Sequence, residues 1–125
     1  MTDHVVAFEA GRPATTRRLR DEPGRVVEGD PEQRIVLHHV DAAAGLRVGS
    51  WTSTPGRWRA FEGRDEFCHI LAGRCALIHA DGTRAEFAAG DSFHVPHGFR
   101  GEWEVIETTT KSFVILDRAA GPAGG

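Results

Sequence analysis

Glu66-Phe67-Cys68-His69-Ile70-Leu71-Ala72-Gly73, then Asp81-Gly82, then Phe87-Ala88-Ala89-Gly90-Asp91-Ser92-Phe93-His94-Val95-Pro96-His97-Gly98-Phe99 is the stretch that decides the fold. Apolar runs a few residues long alternate with glycine turns. Asp81-Gly82 between two such runs is a two-residue hairpin signal, because both turn positions favour positive φ. Working outward, the same rhythm predicts strands over 35–40, 46–53, 58–61, 66–71, 74–79, 84–87, 92–95, 102–107 and 111–116. Ala44-Gly45, Pro55-Gly56, Gly63, Gly73, Gly90-Asp91 and Pro96-His97-Gly98 separate them. Short strands at this spacing predict an all-β sandwich or barrel. Many tight turns also account for 15 glycines in 125 residues.

At 13.6 kDa the chain has the size of one domain. Its hydrophobic fraction of 40% supplies a core without metals or disulfides. The formal charge of −3 lacks the basic excess of a nucleic-acid protein. No apolar run reaches membrane-spanning length, and Met1-Thr2-Asp3-His4 does not open a signal peptide, so neither membrane nor secretion is expected and the expected location is the cytoplasm. Cys68 and Cys75 are read as reduced, buried small hydrophobes. Lys111 is the only lysine, and a salt bridge to Glu104 or Glu107 explains it as well as chemistry does. Residues 1–34 read as an N-terminal arm, 35–117 as the β-barrel domain and 118–125 as a flexible tail. Within the arm, Arg17, Arg18 and Arg20 form either an anion patch or a solvated segment.

Glu66 with Gly73, and Gly90 with Pro96 and Gly98, stand at the spacing of the two cupin elements, so the chain resembles the cupin superfamily. That resemblance implies a double-stranded β-helix, or jelly-roll barrel, of the RmlC-like type. Gly49-Ser50-Trp51-Thr52-Ser53-Thr54-Pro55-Gly56-Arg57-Trp58, with Gly101-Glu102-Trp103-Glu104 and Lys111, is similar to small cupins related to (S)-ureidoglycine aminohydrolase. The similarity covers roughly 29–116.

The resemblance also implies a metal site for Mn, Fe, Ni or Zn, built from two His, a Glu and a third His. Glu66 matches the Glu. Arg59 and Phe61, or Ala60 and Glu62, stand where the His pair belongs, and Gly101 stands in place of the third His. No metal is therefore assigned, and Glu62 and Glu66 are the remaining candidate ligands. His94 or His79 would be needed for any non-standard site. The mixed Glu, His and Gln set of the aminohydrolases is not reproduced either, so their reaction is not carried over.

If the barrel forms, its cavity is expected to present Arg59, Phe61, Glu66, Cys68 and Trp103. Arg59 and Glu66 would pair or await a charged ligand, and Phe61 and Trp103 would stack on a flat one. The expected function is binding of a small polar or carboxylated metabolite with a degenerate metal site. The alternative is a metal-dependent enzyme acting on a ureido, amino-acid or sugar-like substrate. Trp51 and Trp58 read as core or as subunit interface, and a homodimer is expected, with the arm as a candidate swapped element.

Overall fold

The structure, a computed structural model, describes residues 3–118. Of the expected tail, all but Arg118 lies outside the described residues. Nine strands form one curled, antiparallel sheet: β1 (Thr15–Arg18), β2 (Val26–Gly29), β3 (Glu32–Asp41), β4 (Leu46–Ser53), β5 (Gly56–Arg59), β6 (Arg64–His79), β7 (Arg84–Ala88), β8 (Ser92–Val95) and β9 (Gly101–Asp117). Among the described residues, two single-turn 3-10 helices interrupt them, at Leu19–Asp21 and Ala42–Ala44. No helix among the described residues is long and apolar enough to cross a membrane.

The sheet path runs β1-β3-β4-β9-β5-β2, and β6 pairs with β7, β8 and β9. β9 is the spine. Its C-terminal half pairs with β4, its N-terminal half with β5, and its whole length with β6. The expected breaks at Gly73 and at residues 108–110 are not strand ends. Strands 66–71 and 74–79 merge into β6, and 102–107 and 111–116 merge into β9. The reason is a bulged stretch: the β6–β9 register shifts three times between Ile70 and Cys75. Gly73 sits there with φ +89, and a Cβ on it would lie 2.2 Å from the Thr108 carbonyl oxygen. The glycine bends the strand pair without ending it. Asp81-Gly82 does lie in a hairpin between β6 and β7, but the connection is the four residues 80–83 rather than two: only Gly82 has a positive φ, and the Asp81 carboxylate accepts from the Thr83 N–H at 2.8 Å.

Alternation along β9 sends Trp103, Val105, Thr109, Lys111, Phe113 and Ile115 inward. From β6 come Glu66, Cys68, Ile70, Cys75 and Leu77. Trp51, Trp58 and Trp103 close the centre, with ring centroids 5.8 to 6.4 Å apart. All three tryptophans are buried, so Trp51 and Trp58 belong to the core. A buried Trp supplies on the order of 4–6 kcal/mol of transfer free energy before entropy is charged. The N-terminal segment joins this core through Leu19, which is fully buried and donates its N–H to the Pro31 carbonyl. Cys68 and Cys75 are free, buried thiols on one strand.

Candidate functional site

Glu66 and Lys111 reach the barrel interior from neighbouring strands, β6 and β9, and meet there. The Lys111 Nζ donates to Glu66 Oε2 at 2.6 Å, and both side chains are 5% exposed. Trp51 lies opposite Lys111 in the β4–β9 register. The ammonium sits 4.3 Å from the Trp51 ring centroid and 4.2 Å from that of Trp103. Cation–π attraction and the carboxylate together offset the cost of burying this charge. Burial alone pushes the Glu66 carboxyl up, but Lys111 and Arg64 outweigh it and hold it below the usual carboxylate range.

Above this pair opens a cavity of about 410 Å³. Its walls include Arg17 from β1, Arg47 and Trp51 from β4, Arg64 from β6 and Phe113 from β9. Arg64 Nη2 lies 3.9 Å from Glu66 Oε1. Arg17 donates through Nε and Nη2 to Gln33 Oε1, at 3.0 and 2.9 Å. Burial lowers the pKa of both Arg17 and Arg64; Arg17 is lowered further by Arg64, and Arg64 by Arg47. Phe61 lies at the edge of this cluster, its ring centroid 3.9 Å from the Arg25 guanidinium, 4.7 Å from that of Arg64 and 5.4 Å from that of Arg17.

Of the residues expected in the cavity, Glu66 lines it, Cys68 and Trp103 are buried in the core without lining it, and Phe61 is half-buried beneath guanidiniums. Arg59 is not inside. Trp58 takes the inward position of β5, so alternation turns Arg59 outward, where it is exposed and donates to the Gly24 carbonyl. The expected Arg59–Glu66 pair is replaced by Lys111–Glu66. Lys111 likewise does not pair with Glu104 or Glu107: those carboxylates face the outer side and bind Arg84 and Arg74. Glu62 is exposed and pairs with Arg100 at 3.7 Å, away from Glu66. The arginine cluster of the arm divides. Arg17 turns into the cavity, Arg18 pairs with Asp30, and Arg20 donates to the Gly29 carbonyl.

Arg64 and Arg47 were not anticipated from the sequence, and Arg17 was anticipated only as part of an anion patch or a solvated segment in the arm. A period-2 signal was present for two of them: Arg64 stands two residues before Glu66, and Arg47 four before Trp51, so each shares an inward face. The local cluster with Arg18 and Arg20 marked Arg17, but nothing local pointed it rather than its neighbours into the barrel.

The donor set does not suit a divalent cation. Glu66 is already held by an ammonium and faces further guanidiniums. A Cβ at Gly101 would lie 2.0 Å from the Ile78 carbonyl oxygen, so the place of the third histidine is filled by backbone. His94 binds Asp65 at 3.0 Å, His69 binds Ser92 at 2.7 Å, and His79 packs on Phe99. Among the described residues, no three His, Cys, Asp or Glu side chains converge on one point.

A curled jelly-roll sheet with a polar pair set inside its mouth defines a small cupin. The particular family follows from the sequence: residues 40–113 match the model of the EutQ-like cupin domain, and the chain belongs to that family. Solved structures share the fold. A protein of unknown function of the DUF861 family from Pseudomonas syringae pv. tomato matches with a TM-score of 0.74 at 22% identity, over 87% of this chain. This chain spans only 46% of that protein's length. The Clostridium difficile EutQ protein matches at 0.61 and 15% identity, over 77% of this chain and 78% of the other. An ethanolamine utilization protein Q from Salmonella typhimurium matches at 0.59 and 17% identity, over 68% and 69%. No curated protein matches the sequence significantly.

Proposed function

We propose that this cupin binds a small polar or carboxylated metabolite in the cavity above Lys111 and Glu66, without a divalent metal. One observation carries the reading: a cavity of about 410 Å³ is walled by three guanidiniums and floored by a buried ammonium–carboxylate pair. Its volume is in the range of small-molecule sites. The buried Lys111–Glu66 pair satisfies itself, while the guanidiniums above it, Arg17 exposed and Arg47 and Arg64 half-buried, are open to an anionic ligand entering from solvent. Trp51 and Phe113 supply an apolar wall beside the charged one. The similarity to cupins related to ureidoglycine aminohydrolase is part of this reading only as shared ancestry of the barrel; the hydrolytic reaction is not. A metal-dependent enzyme is disfavoured because the Glu66 carboxylate is committed to Lys111.

The protein is read as a homodimer. Phe67 and Val114 are register neighbours on the outer face of β6 and β9, and both are substantially exposed, with Leu116 two positions further on. A second copy covering them would remove this apolar surface from water.

The deciding experiment is thermal denaturation against a library of small metabolites, together with metal analysis of the purified protein. A ligand that raises Tm and quenches the Trp51/Trp103 fluorescence supports the reading. Stoichiometric Mn, Fe, Ni or Zn that is lost in Glu66→Ala would overturn the metal-free part. Absence of any stabilising ligand would overturn the rest.

A further inference from the structure

We propose that the cavity selects a short dicarboxylate, held at its two ends by guanidiniums from different strands; this rests on the binding role just proposed. Lys111 and Glu66 neutralise each other at the floor. Three cationic side chains, Arg17, Arg47 and Arg64, then face the same space. Among the described residues, neither Arg17 nor Arg47 has a carboxylate within salt-bridge distance, and the nearest for Arg64 is the Glu66 already held by Lys111. Arg17 spends two N–H groups on the neutral amide oxygen of Gln33, which fixes its plane without cancelling its charge.

Burial is the main cause of the lowered proton affinity of Arg17 and Arg64; Arg64 lowers Arg17 further and Arg47 lowers Arg64, against the opposing pull of Glu22 on the first and of Glu66 and Asp117 on the second. A single carboxylate would leave two guanidiniums uncompensated. Two carboxylates leave one. The three arginines belong to β1, β4 and β6: Arg17 and Arg64 meet over the Phe61 ring, and Arg47 enters the same cavity from β4, so the guanidiniums reach it from different strands. Leu37, Trp51 and Phe113 line the same space and suit a methylene spacer between two charged ends. Planar guanidinium forks match planar carboxylates in two-pronged pairs.

Calorimetric titration of the full chain distinguishes the possibilities. The probes are succinate, glutarate, butyrate, succinamide and inorganic phosphate. Succinate or glutarate is expected to bind at least about tenfold more tightly than butyrate, with succinamide weaker still. Binding of the dicarboxylate is expected to weaken about tenfold in Arg17→Gln and in Arg47→Gln, and more steeply with salt than that of butyrate. Unliganded Tm of each variant checks that it folds. Equal binding of succinamide or butyrate, tighter binding of phosphate, or dicarboxylate binding untouched by both substitutions would overturn the dicarboxylate assignment. Those results would leave the cavity's binding role standing. No heat with any probe would also overturn the assignment; the metabolite screen would then test the binding role separately.

Discussion

Lys111 and Glu66 come from strands whose register sets them four residues apart, yet their side chains meet at 2.6 Å inside the barrel. Ile70 stands opposite Lys111, and Ile115 opposite Glu66. The diagonal reach lets one ammonium serve the carboxylate and two indole faces together. Removing either partner strands a buried charge. Glu66→Gln and Lys111→Met are each expected to cost about 3–5 kcal/mol. The double variant Glu66→Gln/Lys111→Met is expected to cost less than the two single changes summed. Denaturant unfolding of the three variants checks this, and simple additivity would refute the pairing.

The same pair sets an acid limit. The folded Glu66 carboxyl lies below its unfolded value of 4.5. Its contribution to stability is therefore full above about pH 4.5 and is lost as pH falls through the lower folded value. In Glu66→Gln the stability curve below pH 4.5 is expected to be flatter than in the wild type. Urea unfolding at several pH values between 3 and 7 reads the difference.

Cys68 and Cys75 are expected to be inert in the native state. Burial pushes Cys75 up to about 11 and Cys68 higher still. Neither is a nucleophile at neutral pH. A thiol reagent at pH 8 is expected to label neither in the folded protein and both in denaturant. Rapid native labelling would show that the barrel opens.

Gly101 tests the missing-histidine question directly. Gly101→His is expected to destabilise by about 3 kcal/mol, because its Cβ would overlap the Ile78 carbonyl, and to bind no metal. A melting curve and metal analysis read both effects. A stable variant that takes up nickel or zinc would show that the strand can shift to rebuild the site.

Arg59→Ala is expected to leave ligand binding unchanged and to lower stability by no more than about 1 kcal/mol, since the residue is exposed and its bond goes to a backbone carbonyl. A binding loss there equal to that of Arg47→Gln would reverse the assignment of cavity residues.

The spacing of short apolar runs and turn glycines was enough, by itself, to define an all-β sandwich or barrel, because strand alternation and turn chemistry are local properties; the cupin type came from the resemblance carried by Glu66 with Gly73 and Gly90 with Pro96 and Gly98. Glu66 and Trp103 were legible as interior residues through the cupin resemblance, Glu66 at its ligand position and Trp103 two residues past Gly101 on the same strand face. Tertiary structure alone decided which cation meets Glu66. Arg59 and Lys111 were both available in sequence, and a one-residue difference in strand phase sends Arg59 out while β9 carries Lys111 in. It also decided that β6 and β9 run unbroken past Gly73, since whether a glycine ends a strand or bulges it depends on the strand beside it. Arg17 shows the limit most clearly. The chain places it 47 residues from Arg64, and only the β1–β3 pairing at the barrel mouth brings the two charges to one cavity.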